Sequence, residues 1–360
     1  MLKQLKIEKF TVFDKATFDF AKGVNVVVGS NGAGKSHLLK LAYTAARWSH
    51  ETAMLERSPT GRPDKASLQK SLGVKLVNIF RPDELGRLSS RGQGNRRTAV
   101  AASFHDAPKA TLEFSFSRTN KTDVAIDRLP QEFFGEESVF FPTKEMLSMF
   151  PGFASLYRSY QLHIDETYYD LCLALEKPLP KGNKIAEVKP LLTEIESVLG
   201  GSIVLDSGRF SLLKKGGDSK KGGDFEISLV AEGFRKLGAL AYLLANGSLL
   251  RQSILFWDEP ETNLNPSYMA KLAKVLAAIA KNGTQVFIAT HSLYILRELS
   301  LLLQQPDFMQ VERKFFALSL GETGSAFTEG TSAEEIEPIA ALDAELEQSG
   351  RYLEQSPATE

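Results

Sequence analysis

Cysteine is almost absent. Cys172 is the only one in 360 residues, so no intrachain disulfide can form, which fits a reducing compartment. Long apolar runs are missing too. Leu237–Leu250 and Leu299–Leu303 come nearest, and both are too short or interrupted to give the ~18 apolar residues of a membrane helix. Lys3, Lys6, Glu8 and Lys9 break up the start of the chain, where a signal peptide needs an apolar stretch. A cytoplasmic protein without membrane insertion is therefore expected. An excess of either charge is also lacking: 43 basic side chains face 44 acidic ones, for a net charge of −1. Such a chain is not drawn to polyanions as a whole, and any nucleic-acid contact must come from a local patch. Sustained heptads are absent, which excludes a long coiled coil, and no internal repeat is visible. What remains is an ordinary globular composition, 43% hydrophobic. The length suits one large α/β domain with an insertion, or two domains.

The most informative stretch present is Gly29-Ser30-Asn31-Gly32-Ala33-Gly34-Lys35-Ser36. It fits G-x-x-x-x-G-K-[ST], a loop that wraps phosphates, and it has the context this reading needs. The apolar run Val24–Val28 precedes it as a buried strand. A helical pattern from Lys35 to about Glu56, opening with Ser36 and His37, follows it. Glycines let the backbone bring its N–H groups close to phosphate oxygens. Lys35 is expected to reach the β- and γ-phosphates and Ser36 to ligate Mg²⁺. The helix N-terminus adds partial positive charge.

Further strands are expected at Leu5–Phe10, Ala16–Phe20, Thr98–Phe104, Ala110–Phe116, Thr122–Ile126 and Ser138–Phe141, where apolar residues alternate or run together. Arg81–Arg97, polar and glycine-containing, reads as a loop. Lys144–Leu199 reads as helical, broken at Pro151-Gly152, at Pro178–Gly182 and near Pro190. Strands return at Ser202–Asp206, Arg209–Leu213 and Phe225–Val230. They are followed by a helix at Glu232–Ala245, a strand at Ser253–Trp257, a helix at Ser267–Lys281 and a strand at Thr284–Ala289. A helix at Leu293–Leu303, a late strand at Lys314–Leu320 and a terminal helix at Ala333–Leu353, kinked at Pro338, complete the reading.

The strand Ile254–Trp257 ends in two acids, Asp258 and Glu259. Beside a phosphate loop, the first acid can hold Mg²⁺ and the second can polarise an attacking water. Ile288-Ala289-Thr290-His291-Ser292 closes another buried strand roughly 30 residues on, the interval of one helix and a return strand. A histidine at that edge can contact a γ-phosphate.

These segments together resemble an ABC-type ATPase of the SMC/RecF/OLD-like branch. Gly29–Ser36 matches the Walker A motif and Ile254–Glu259 matches Walker B with its catalytic glutamate. Asn263-Leu264-Asn265-Pro266 resembles the D-loop, and His291 resembles the switch histidine. Val230-Ala231-Glu232-Gly233-Phe234 stands where the family has its signature loop, usually L-S-G-G-Q. More loosely, the wording Ala231–Lys236 is similar to stand-alone prokaryotic ATPases of antiviral-defence and genome-maintenance operons.

The resemblance implies a P-loop NTPase of ABC-ATPase type, with a mixed sheet and flanking helices, an antiparallel β subdomain and an inserted helical lobe. The boundaries expected are 1–56 for the first part of the core and 57–142 for an arginine-rich loop and β subdomain. The helical lobe takes 143–200, the second part of the core 201–330 and a helical tail 331–360. ATP and Mg²⁺ are the implied cofactors, with Glu259, His291 and Lys35 catalytic. Gly29 to His37, Ala231, Glu232 and Gly233 would bind nucleotide. Ser36, Asp258 and Glu145, the last standing in for the Q-loop glutamine, would serve the metal.

Two heads would sandwich two ATPs, each touching Walker A of one copy and the signature loop of the other. Homodimers or higher homo-oligomers linked by ATP, and a separate effector protein, are the implied partners. DNA could be met through Arg81, Arg87, Arg91, Arg96 and Arg97. Ala231 stands where the family has serine, which removes a contact worth roughly 1.5–3 kcal/mol. Glu232 adds an unfavourable charge there. An ABC-transporter subunit and a non-hydrolysing scaffold are the alternatives.

Overall fold

The computed structural model describes residues 1–59, 61–90, 97–160, 162–180, 188–214, 225–321 and 324–355. Its centre is a six-stranded sheet in the order β14-β13-β3-β12-β11-β7. The strands are β3 (Val24–Gly29), β7 (Ser138–Phe141), β11 (Ile254–Asp258), β12 (Gln285–Thr290), β13 (Arg313–Gly321) and β14 (Gly324–Gly330). All pairings are parallel except β13 with β14. A parallel strand covered on both faces needs apolar residues at successive positions, and β3, β7, β11 and β12 are buried along their whole length.

Side chains alternate across the sheet, so each strand serves two cores. Val24, Val26, Val28, Leu255, Trp257, Val286 and Ile288 face one core. Val27, Ile254, Phe256, Phe287, Ala289 and Phe316 face the other. The second core holds α1 (Lys35–Glu56) and a five-stranded antiparallel sheet. That sheet comprises β1 (Leu2–Phe10), β2 (Phe13–Asp19), β4 (Arg97–Phe104), β5 (Leu112–Ser117) and β6 (Ala125–Arg128), in the order β2-β1-β4-β5-β6. Helix α1 buries Leu38, Leu39, Leu41, Ala42, Tyr43, Ala45, Ala46 and Trp48, residues on every side of a helix, as expected of one enclosed between two sheets. Gln285 ties the sheets together at the far end. Its Oε1 accepts from Leu2 N (2.7 Å), and its Nε2 donates to the Leu2 and Ala21 carbonyls (both 2.7 Å).

The first core is closed by α3 (Phe150–Tyr160), α4 (Glu166–Glu176), α5 (Lys189–Leu199), α6 (Glu232–Ala245), α7 (Pro266–Lys281) and α8 (Leu293–Leu303). A small sheet, β8 (Gly201–Asp206), β9 (Arg209–Lys214) and β10 (Phe225–Glu226), packs with them. The described residues among 143–200 share this core with the central strands. Phe150, Phe153 and Tyr157 are buried in it, and Tyr157 stacks on Tyr169 at 4.8 Å.

Several expectations are corrected. Arg81–Arg97 is not one loop: α2 (Lys65–Phe80) ends at Arg81, Leu85–Leu88 forms a 3-10 turn, and Arg97 already begins β4. Pro190 starts α5 rather than breaking it, because a proline in the first turn loses no needed N–H. Only Phe225–Glu226 of the expected strand Phe225–Val230 pairs, and Ile227–Leu229 is a 3-10 turn. The tail is a short 3-10 turn at Ala333–Glu335, then α9 (Ala340–Gln355). Pro338 separates the two, since it cannot continue a helix. Strand β14 had no counterpart in the sequence reading.

Candidate nucleotide site

The glycine-rich loop leaves β3 at Gly29 and enters α1 at Lys35. Gly34 has φ +98°, and a Cβ there would lie 2.7 Å from Val12 Cγ2 and 2.8 Å from the Phe13 ring. Only glycine fits both the backbone and the close approach of the β1–β2 turn. Ser30, Asn31 and Gly32 are exposed at the loop's tip, whereas Ala33 is buried. The Ala33 carbonyl accepts from Ser325 Oγ (2.7 Å), a residue of β14 that braces the loop from behind. Lys35 is buried, and its Nζ donates to the Gly29 carbonyl (2.8 Å) and the Ser30 carbonyl (3.0 Å). Burial pushes its ammonium below the usual lysine range, opposed by the charges of Glu259, Asp258 and Glu261. His37 turns elsewhere: its ring lies 5.8 Å from Phe80, and its buried Nδ1 has no hydrogen-bond partner among the described residues.

Parallel strands β3, β11 and β12 end side by side, so their C-terminal edges gather the remaining groups. Asp258 is 6% exposed, with Oδ1 buried and unpartnered. Burial pushes its carboxyl up; the Ser36 hydroxyl pulls it down, and the charge of Glu259 pushes it up again. A hydroxyl beside a carboxylate with an unused buried oxygen is a hard-oxygen donor set that fits Mg²⁺. Glu259 stands at φ +51° and is held by a hydrogen bond from its N to the Ala289 carbonyl (2.8 Å). A left-handed glutamate costs roughly 1–2 kcal/mol, and here it aims the side chain at His291, whose Nδ1 lies 3.4 Å from Glu259 Oε1. Glu261, not selected in the sequence reading, lies 3.5 Å from the same Nδ1. A single glutamate in a loop gives no local signal of burial.

The signature-like segment sits on a second surface. Ala231 precedes α6 and provides no side-chain cap. At Gly233 a Cβ would lie 2.5 Å from the Asn263 carbonyl and 2.5 Å from Leu264 Cδ2, so the D-loop-like segment rests on the helix start. Lys236 is 2% exposed and donates to the Thr262 carbonyl at 3.4 Å. Burial pushes its ammonium down. Glu145 is engaged here, 3.3 Å from Arg235 Nε and accepting from Ser148 N (3.1 Å) and the Ser148 hydroxyl. Its carboxylate therefore ties the chain after β7 to α6; its hydrogen bonds and ion pair do not reach Ser36 or Asp258. A groove of about 500 Å³ runs between Glu145, Glu232, Arg235 and Asn263.

The structure thus brings Lys35, Ser36, Asp258, Glu259 and His291 to one edge, and Ala231, Glu232, Gly233 and Glu145 to the neighbouring surface. Of the arginines, Arg81 turns inward, donating to Tyr157 Oη (2.7 Å) and to the Leu162 and Ile164 carbonyls (both 2.8 Å). Those bonds take it out of any DNA-facing group. Arg97 pairs with Asp127 at 3.2 Å and Arg87 is exposed, while Arg91 and Arg96 lie outside the described residues. No helix among the described residues is long and apolar enough to cross a membrane.

Comparison with known proteins agrees with this geometry. Residues 24–297 match a family model described as "AAA domain, putative AbiEii toxin, Type IV TA system", and residues 4–41 match a second AAA-domain model. The fold is similar to an SMC head bound to the C-terminal winged-helix domain of ScpA, with TM-score 0.55 and 13% identity over 92% of this chain and 98% of the other. It is also similar to an Smc head with an extended coiled coil bound to the C-terminal domain of ScpA, derived from Pyrococcus furiosus. There the TM-score is 0.50 at 13% identity, over 98% of each chain. At such identities the likeness is one of fold. The chain belongs to the AAA-domain family described as putative AbiEii toxin of type IV TA systems, and its fold is that of the SMC heads.

Proposed function

We propose that this chain binds ATP with Mg²⁺ at the loop 29–36, hydrolyses it, and pairs head-to-head with a second copy around the nucleotide. The observation that carries the reading is the convergence of Lys35, Asp258, Glu259 and His291 at the C-terminal edges of β3, β11 and β12. Loop N–H groups and the start of α1 cradle the phosphates, and Lys35 balances their charge. Ser36 and Asp258 would hold Mg²⁺, which when bound neutralises charge on the β- and γ-phosphates. Glu259 takes the proton of the attacking water. His291 lies beside that carboxylate and meets the γ-phosphate side. The Ala231–Gly233 edge, at the start of α6 and against Asn263, is the surface offered to the partner's nucleotide. ATP then acts as the adhesive and its hydrolysis releases the pair, a switch suited to governing a separate effector or acting on DNA in prokaryotic defence or genome maintenance.

The mass of Glu259→Gln in solution, with and without ATP and Mg²⁺, tests this. A monomer that becomes a dimer with ATP supports the switch. A mass indifferent to ATP removes pairing from the reading. Ala231 and Glu232, which depart from the signature loop, favour the scaffold alternative; phosphate release by the parent protein would exclude it. Loss of ATP binding in Lys35→Ala checks the site itself.

A further inference from the structure

Glu261 is the most enclosed acid at the strand edges, at 4% exposure. It sits in the loop after β11 but spends its hydrogen bonds on the end of β12. Its Oε1 accepts from Thr290 Oγ1 (2.6 Å) and from His291 N (3.2 Å), and lies 3.5 Å from His291 Nδ1. Thr290 Oγ1 in turn accepts from Ser292 N (2.9 Å), so the bonds run unbroken from the loop into the first turn of α8. The second oxygen, Oε2, is buried with no hydrogen-bond partner among the described residues. An acid this buried is costly unless its acceptor capacity is used. Here the capacity that is used, all of it on Oε1, goes to the backbone of His291 and the hydroxyl of the threonine beside it, with the imidazole close by.

We infer that Glu261 is a positioning residue: it holds His291 in the orientation that serves Glu259. The inference rests on the proposed hydrolysis. Two carboxylate oxygens, one from Glu259 at 3.4 Å and one from Glu261 at 3.5 Å, flank Nδ1. Two acceptors there suit a proton on Nδ1 and leave Nε2, on the far side of the ring, for the nucleotide. The two acids have different surroundings. Glu259 is partly open and free to meet water, whereas Glu261 is enclosed and anchored through Thr290. Without Glu261 the imidazole keeps only the partly exposed partner, Glu259, and its root loses the bond at His291 N. Misplacement of a reacting group by about 1 Å can cost on the order of 10²-fold in rate.

The test is steady-state ATP hydrolysis by the full chain carrying Glu261→Gln or Glu261→Ala, beside the parent and Glu259→Gln, with equilibrium ATP binding and thermal unfolding of each. Glutamine keeps an acceptor for Thr290 and His291 N but loses the charge at Nδ1, so kcat should fall about tenfold. Alanine should lower it on the order of 10²-fold. In both, KM and ATP affinity should match the parent. Parent-like kcat in both variants overturns the inference. So does a loss of kcat that comes only with equal loss of ATP affinity and of folding, since that marks a merely structural acid. Failure of the hydrolysis reading looks different: the parent itself releases no phosphate, or Glu259→Gln matches it.

Discussion

The backbone at Glu259 allows catalysis and stability to be separated at one position. Its φ of +51° places a side-chain-bearing residue in the left-handed region, at a cost of roughly 1–2 kcal/mol. Glutamine keeps that strain and removes only the carboxylate. Glycine removes the strain but gives the unfolded chain more freedom, worth about 0.5–1 kcal/mol the other way. Glu259→Gly should therefore be as stable as Glu259→Gln or up to about 1.5 kcal/mol more stable, a rise of at most about 2 °C in Tm for a chain of this length. The lost approach to His291 at 3.4 Å is partly exposed and contributes little on this scale. Both variants should lose about 10²–10⁴-fold in kcat, or roughly 3–5 kcal/mol of barrier. Phosphate release and urea unfolding on the same preparations decide the matter. A Glu259→Gly protein clearly less stable than Glu259→Gln would refute the strain argument, and parent-like hydrolysis in either would refute the role of Glu259.

Three further outcomes are expected. Gly233→Ala should leave ATP binding by a single head intact but reduce ATP-driven pairing, because its Cβ would meet the Asn263 carbonyl at 2.5 Å and force the α6 start from the D-loop-like segment; sedentation by analytical ultracentrifugation with Glu259→Gln as background checks this. Arg81→Gln should lower thermal stability without altering the salt dependence of any DNA binding, whereas Arg87→Gln should reduce the slope of log K against log salt by about 0.9 if that arginine meets a phosphate. Glu137 is half-buried, which alone would push its carboxyl up, but the Lys177 ammonium and the Arg47 guanidinium hold it below the ordinary value. Its stabilisation is then full above the unfolded carboxylate pKa and is lost as pH falls through the folded one. Glu137→Gln should flatten the acid side of the stability profile, measured by urea unfolding across that range.

Much of the candidate nucleotide site was legible because its determinants are local. The phosphate loop is specified by glycines, a lysine and a serine at fixed spacing between a strand and a helix, and β3 and α1 flank it as expected. Helices α6 and α8 begin and end where periodicity places them, since an apolar stripe is written in consecutive residues. The acids Asp258 and Glu259 follow an apolar strand and so mark its edge. Tertiary structure alone decided the rest. Glu261 became a buried partner of Thr290 and His291 because parallel pairing sets β11 beside β12. Ser325 reached Ala33 because β14, a short glycine-bounded strand with weak alternation, folds back on β13 and behind the loop. Glu145 and Arg235 met across elements far apart in sequence, and Arg81 turned from an apparent surface charge into a brace for the chain before α4. The sequence by itself determined most of the strands and helices and the phosphate-loop motif, since those rest on short-range sterics and periodicity. Which charges are buried, and against what, depended on neighbours that only the folded sheet brings within hydrogen-bonding distance.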